Sequence, residues 1–120
     1  MDILLVEDDA QVRGGLSAFL RTRGYRVRAT TTNEGVNSID GTLDAVISGY
    51  RMKPPNVERL VASRNERAPL LPMIVTLSTP RPEDASRTDV EVIDAREGVG
   101  HLLKRLQELD TQLRTLNATE

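Results

Sequence analysis

The sequence contains no cysteine, no tryptophan, one phenylalanine and two tyrosines. Without cysteine the chain cannot form a disulfide, a thiolate metal site or a thiol nucleophile, which fits a reducing compartment such as the cytoplasm. Phe19, Tyr25 and Tyr50 are too few to build a platform on which nucleic-acid bases stack. We therefore expect a cytoplasmic protein without thiol chemistry.

Long apolar runs and an excess of positive charge are also missing. The first apolar run covers only Ile3–Val6 and follows the acidic start Met1-Asp2, so we expect neither a secretory signal nor a membrane span. The 16 lysine and arginine residues are outnumbered by 18 aspartate and glutamate residues, and no basic stripe stands out. Binding of nucleic acid or membrane by this domain is therefore not expected.

The 120 residues are enough for one domain around one hydrophobic core, and no linker or repeat divides them, so we expect a single domain over 1–120. Apolar runs predict strands at 3–6, 43–48 and 73–77, and alternation predicts another at 25–30. The first helix runs from its cap, Asp9, to its stop, Gly24.

Local signals predict two further helices. The spacing Thr31-x-x-Glu34 matches a capping box, and Gly41 ends the helix that it opens. Pro54-Pro55 blocks immediate helix formation after the third strand, so Asn56 is expected to cap the third helix. A short or irregular fourth helix is expected to begin at Pro82.

The last third of the chain allows two interpretations. One places the fifth strand at 90–94 and a single amphipathic helix at 97–117, because seven apolar residues keep a helical period there. The other places the fifth strand at 100–104. With either one, strands alternate with helices, which predicts an α/β fold with a parallel sheet and helices on both faces.

Polar residues follow the first and third strands. We call Glu7, Asp8 and Asp9 the acid triplet; Gly49 and Arg51 follow the third strand. Ligands and chemistry sit at the carboxyl ends of strands in doubly wound sheets, so these residues form the candidate site. The competing hypothesis is that the acid triplet only caps the first helix and favours its positive end.

Three stretches make the chain similar to the receiver domains of two-component response regulators: the opening 3–9, the helix stop 23–25, and the segment 44–54, which reads DAVISGYRMKP. The match is good to about Met52 and weaker beyond it. The resemblance implies a flavodoxin-like, doubly wound five-stranded parallel sheet of order 2-1-3-4-5.

The resemblance also implies which residues bear the chemistry. Receivers accept a phosphoryl group from a histidine kinase on an aspartate, beside a Mg²⁺ ion held by two acids and a backbone carbonyl. Glu7 and Asp8 match the acids, Arg51 would supply the carbonyl, and the acceptor position falls on Gly49. Glycine cannot be phosphorylated and removes a metal ligand, so we expect weak Mg²⁺ binding at most and no other cofactor.

Two further positions of the family contact the phosphoryl group and drive its switch. The threonine or serine position falls on Leu77, although Thr76 and Ser78 flank it. The lysine position falls on Asp94 or Ala95, or on Lys104 if the fifth strand is 100–104. Both switch residues are therefore expected to be missing as well.

These features predict a pseudo-receiver, a non-enzymatic module of a bacterial two-component pathway that works without phosphorylation. Its partner would be a histidine kinase, an output domain or another signalling protein, bound through the segment Ser78–Leu116, which we call the partner face. Ser48 is expected to bond locally, and His101 to be an ordinary helix residue. The alternatives are a sensor of a small anion or nucleotide second messenger, and a genuine receiver whose alignment is shifted by one residue.

Overall fold

The computed structural model describes residues 1–118. The strands are β1 (Asp2–Val6), β2 (Arg26–Thr30), β3 (Ala45–Ser48), β4 (Met73–Leu77) and β5 (Glu91–Asp94). The helices are α1 (Ala10–Thr22), α2 (Thr32–Gly35), α3 (Pro54–Arg67), α4 (Pro82–Ala85) and α5 (Val99–Ala118). None of these helices is long and apolar enough to cross a membrane.

All the strands pair in parallel, in the order β2-β1-β3-β4-β5. Alternate side chains of the central strands enter two apolar clusters, one on each face of the sheet. Leucines of α1 and α5 fill the first cluster, and α3 fills the second. The expected flavodoxin-like sheet with helices on both faces is therefore confirmed.

The fifth strand lies at Glu91–Asp94, as the first of the two interpretations expected. Leu102 and Leu106 belong to α5 and are fully buried against the sheet, so placing the strand at 100–104 is wrong. The helix begins at Val99 and not at 97, because Gly98 has φ 83° and follows a 3₁₀ turn. A left-handed residue ends that turn before the α-helix can start.

The entry to α3 differs from the expectation. Pro54 and Pro55 are its first two residues and do not delay it. The first N–H groups of a helix have no intrahelical partner, so proline costs nothing there. Asn56 consequently lies inside the first turn and does not cap the helix; its side chain donates to Asp8, two residues after β1.

The second helix is shorter than the capping-box spacing suggested. It ends at Gly35 and not at Gly41, and the Thr31 side chain makes no cap bond. Glu34 accepts a hydrogen bond from the Thr30 hydroxyl at 2.8 Å instead. A Cβ on Gly35 would lie 2.7 Å from Cγ2 of Val6, so glycine lets this turn sit directly on β1.

Candidate functional site

The candidate site lies where β1 and β3 end side by side. Val6 pairs with Ser48, and the Gly49 N–H donates to the Val6 carbonyl at 2.8 Å. Glu7 and Gly49 are the next residue of each strand, so they face one another. The sheet therefore brings together the two segments that the sequence singled out.

Glu7 is fully buried, and its carboxylate is held by the backbone. Its Oε1 accepts from the Arg51 N–H at 2.8 Å, and its Oε2 accepts from the Asp9 N–H at 3.1 Å. The Arg13 guanidinium donates to the Glu7 carbonyl at 2.9 Å, which brings positive charge beside it. A buried carboxylate is tolerated only when such donors replace water. Glu7 thus links β1 to the loop at 49–53, the β3–α3 loop.

Asp8 makes hydrogen bonds to the starts of two helices. Its Oδ1 accepts from the Thr32 N–H at 2.8 Å, and its Oδ2 accepts from the Thr32 hydroxyl at 2.8 Å and from the Asn56 amide at 3.0 Å. Burial alone would raise the pKa of the Asp8 carboxyl, but these hydrogen bonds together lower it below its usual value. Asp8 thus joins β1 to the starts of α2 and α3.

Asp9 alone of the acid triplet caps α1. Its Oδ1 accepts from the N–H groups of Gln11 at 3.0 Å and Val12 at 3.1 Å. The Arg51 guanidinium lies 3.9 Å from its other oxygen. The hypothesis that the triplet only caps the helix is therefore right for Asp9 and wrong for Glu7 and Asp8.

These contacts leave a poor fit for Mg²⁺, which demands near-octahedral oxygen coordination. All four carboxylate oxygens of Glu7 and Asp8 already accept hydrogen bonds, and Gly49 adds no carboxylate. Within residues 1–118, no group of three or more histidine, cysteine or acidic side chains is arranged to hold a metal ion.

The threonine beside the expected switch position makes an unforeseen contact. The buried Thr76 hydroxyl lies 2.7 Å from the Gly49 carbonyl oxygen and 2.9 Å from that of Ser48. Leu77, at the expected switch position, packs against the cluster on the α3 face. Thr76 therefore tethers the end of β3 from the β4 side.

Ser48 and Tyr50 flank Gly49 with buried hydroxyls. Neither hydroxyl has a hydrogen-bond partner among the described residues, so the expectation that Ser48 bonds locally is wrong. Burial raises the pKa of the Tyr50 phenol. Ser48 is fully buried, which leaves its hydroxyl out of reach of a phosphoryl donor.

The expected lysine position carries an ion pair instead. The Asp94 carboxylate accepts from the Arg96 guanidinium at 2.7 Å and from the Arg96 N–H at 2.9 Å. This arginine lowers the pKa of the Asp94 carboxyl. Lys104 and His101 lie on the exposed side of α5, where His101 contacts Glu97.

A cleft of about 630 Å³ opens beside β5 and is lined by Arg64, Arg87 and Arg105, the type of residue that the anion-sensor alternative requires. Each guanidinium is already engaged. Arg64 donates to the Leu71 carbonyl at 2.8 Å, Arg87 binds Glu58 and Asp89, and Arg105 binds Glu91 and Glu108. Because these guanidinium groups already bind carboxylates or a carbonyl, the cleft does not favour the binding of an anion.

No protein-family model and no curated protein sequence matches the chain. Solved receiver domains do match in structure. The non-phosphorylated HemR receiver domain from Leptospira biflexa gives a TM-score of 0.75 at 23% identity, over 90% of this chain and 92% of that one. The response regulator TrrA from Thermotoga maritima, in complex with Mg²⁺-BeF, gives a TM-score of 0.74 at 19% identity, over 90% of this chain and 97% of that one.

A third neighbour is the receiver domain of a Pseudomonas aeruginosa sensor histidine kinase, with magnesium coordinated in its active-site cleft. It gives a TM-score of 0.72 at 21% identity, over 90% of this chain and 95% of that one. The fold of the present chain is therefore that of response-regulator receiver domains.

Sequence reasoning placed Glu7, Asp8 and Gly49 at one site but missed the groups that engage the acids. Thr32 lay inside the capping-box motif, and Asn56 was assigned to a helix cap. Both are short polar residues at helix starts, where side chains commonly serve the local backbone. Nothing in the sequence indicates that they donate hydrogen bonds to the Asp8 carboxylate after β1.

Proposed function

We propose that this protein is a pseudo-receiver: a receiver fold that acts as a phosphorylation-independent signalling module of a bacterial two-component pathway. It works in the cytoplasm, has no enzymatic activity and uses no cofactor, with weak Mg²⁺ binding at most. The observation that carries the proposal is Gly49, which stands at the end of β3 where the resemblance places the phosphoacceptor.

The chemistry of the site supports the same conclusion. Phosphoryl transfer to a receiver needs a carboxylate nucleophile and positive charge that neutralises the phosphoryl oxygens. Glu7 is buried, and both of its carboxylate oxygens accept hydrogen bonds from backbone N–H groups. Asp8 is engaged by Thr32 and Asn56. These acids stabilise the local fold and do not take part in phosphoryl transfer.

Incubation with Mg²⁺ and phosphoramidate, followed by intact-mass measurement, tests the absence of phosphorylation. We expect the mass of the wild-type chain to stay unchanged, while a phosphorylatable receiver domain in the same tube gains one phosphoryl group. One phosphoryl group added to the wild-type chain would overturn the proposal.

The partner face remains available for binding a histidine kinase, an output domain or another signalling protein. Its α4 helix buries none of its residues, and the side chains of Arg81 and Glu97 are 70% and 57% exposed. Exposed, charged side chains around a short helix supply the polar rim of an interface.

Charge reversal tests this placement. Arg81→Glu and Glu97→Lys should each weaken binding of the cognate histidine kinase or output domain about tenfold, which corresponds to about 1.4 kcal/mol. Gln11→Lys on the exposed side of α1 is the control and should leave the affinity unchanged. If Arg81→Glu and Glu97→Lys both keep the wild-type affinity, as the control does, the partner binds elsewhere.

A further inference from the structure

Gly49 sits in a space that cannot take a side chain. A Cβ built on it would lie 2.7 Å from Oε1, 2.8 Å from Cβ and 2.9 Å from Cδ of Glu7. Carbon atoms in non-bonded contact prefer about 3.5–4.0 Å. All three of the nearest atoms belong to Glu7, so this one residue fills the place of a side chain at position 49.

The backbone at Gly49 does not itself demand glycine. Among the described residues, the glycines with positive φ are Gly24 and Gly98. Position 49 therefore has a conformation open to other residues, and its requirement for glycine comes from space.

Rotation of the Glu7 side chain would relieve only part of this contact. It could move Oε1 and Cδ, but the Cβ of Glu7 is fixed by the backbone of the residue after β1. The strand ends are also joined, because the Gly49 N–H donates to the Val6 carbonyl at 2.8 Å. A side chain at 49 would have to push β1 and β3 apart.

The carboxylate that fills this space also fixes the β3–α3 loop. It accepts the Arg51 N–H at 2.8 Å and the Asp9 N–H at 3.1 Å, so it bridges the residues after both strands. Thr76 holds the Gly49 carbonyl from the other side at 2.7 Å. The loop is thus tied at Gly49 and at Arg51.

We propose that Glu7 and Gly49 are a matched pair, in which the Glu7 carboxylate is a positioning group that takes the place of a side chain at 49 and holds the β3–α3 loop. Glycine is required at 49 in this arrangement of β1 and β3 because the Cβ and carboxyl group of Glu7 lie within 3 Å of the place of a Cβ at 49. This inference deepens the proposed function, and it rests on that function only in treating 49 as the former acceptor position. Restoring a side chain at 49 alone would therefore distort the site and would not reopen it.

A double-mutant cycle tests the pairing. Gly49→Ala should lower the thermal midpoint of the wild-type chain by roughly 5–10 °C, because overpacking forces the strands to shift. In the Glu7→Gly background, which removes the three atoms nearest to that Cβ, the same change should be neutral or stabilising. The control Gly15→Ala lies on the exposed side of α1 with open space around its Cβ, and should raise the midpoint in both backgrounds.

Amide hydrogen exchange supplies an arm that does not depend on Glu7→Gly folding. Glu7→Gln keeps the shape but offers one acceptor oxygen in place of two. Exchange at Asp9 or Arg51 should therefore accelerate at least tenfold, while core amides of β1 stay protected.

Equal costs of Gly49→Ala in both backgrounds, or unchanged exchange at both amides, would overturn the pairing. Those outcomes are separable from failure of the proposed function. Phosphorylation of the wild-type chain would overturn the function and leave the cycle unaffected, whereas an additive cycle would overturn the pairing and leave the mass result unaffected.

Discussion

The carboxyl edge of the sheet is built differently at its centre and at the β5 side. Where β1 and β3 end, Glu7 and Asp8 are engaged by backbone and side-chain donors from four other residues. Where β4 and β5 end, the polypeptide continues into a four-residue helix without buried side chains and into an ion pair between the half-buried Asp94 and the exposed Arg96. Glu7 and Asp8 are therefore engaged within the fold, whereas the surface around α4 is exposed.

This difference separates two properties that receiver domains combine. In the family that the sequence resembles, phosphorylation at the first region changes the surface at the second. Here the acids after β1 form hydrogen bonds that join this strand to α2, α3 and the β3–α3 loop. Changes at this region should therefore alter stability, and changes at the other should alter binding with little effect on stability.

The largest stability effect is expected from Glu7→Ala. It leaves the N–H groups of Asp9 and Arg51 without their acceptor in a buried site, and it creates a cavity. We expect the free energy of unfolding to fall by about 2–4 kcal/mol, measured by urea denaturation. A loss below about 0.5 kcal/mol would show that the Glu7 carboxylate is dispensable. The region where β1 and β3 end would then contribute no more to stability than the region where β4 and β5 end.

A smaller loss is expected at the neighbouring acid. Asp8→Ala removes the acceptor of three hydrogen bonds and should lower the free energy of unfolding by about 2 kcal/mol. Asn56→Ala removes one of the three and should cost about 0.5–1 kcal/mol. If both variants cost the same, Asp8 does not act by joining α2 and α3.

The sequence predicted the parts of this structure that depend on local pattern. Continuous apolar runs located β1, β3 and β4, and the leucine period located α5 in preference to a strand at 100–104. The Asp9 cap and the Gly24 stop also followed from neighbours in the chain. These signals work because burial and helix ends act over a few residues.

The same reasoning failed where distant residues decide the outcome. Asn56 was assigned to a cap, but a proline pair opens α3 and leaves its amide to Asp8, 48 positions away. The helix predicted to end at Gly41 ends at Gly35, where the turn lies against Val6. Gly49 pointed to a lost acceptor, but only the fold shows that Glu7 occupies the space.

In the segment that leads into β5, at the opposite edge of the sheet, the expected effects are modest. Arg87 bridges Glu58 at 2.8 Å and Asp89 at 2.8 Å. Arg87→Ala should lower the free energy of unfolding by about 1 kcal/mol, since its side chain is only 20% exposed while both partners are open to solvent. A loss matching that of Glu7→Ala would show that a partly exposed ion pair before β5 matters as much as the buried carboxylate.

The pH dependence of this pair should be smaller still. Arg87 lowers the pKa of the Asp89 carboxyl in the folded state below its ordinary value of 3.8. The pair therefore contributes stability above that value and loses it as the pH falls through the lower, folded pKa. Solvent screening limits the effect to about 0.5 kcal/mol. Denaturation curves of wild type and Arg87→Ala should converge toward pH 2; a constant gap would contradict this assignment.

The most direct test of the central claim is a titration with Mg²⁺, with and without beryllofluoride as a phosphoryl mimic, followed by amide NMR. We expect no saturable shifts at Glu7, Asp8, Gly49 or Arg51, because the acids are already engaged and position 49 has no carboxylate. Saturable shifts that spread from these residues to α5 would contradict it, and would show that the site still binds its ligands and still reaches the partner face.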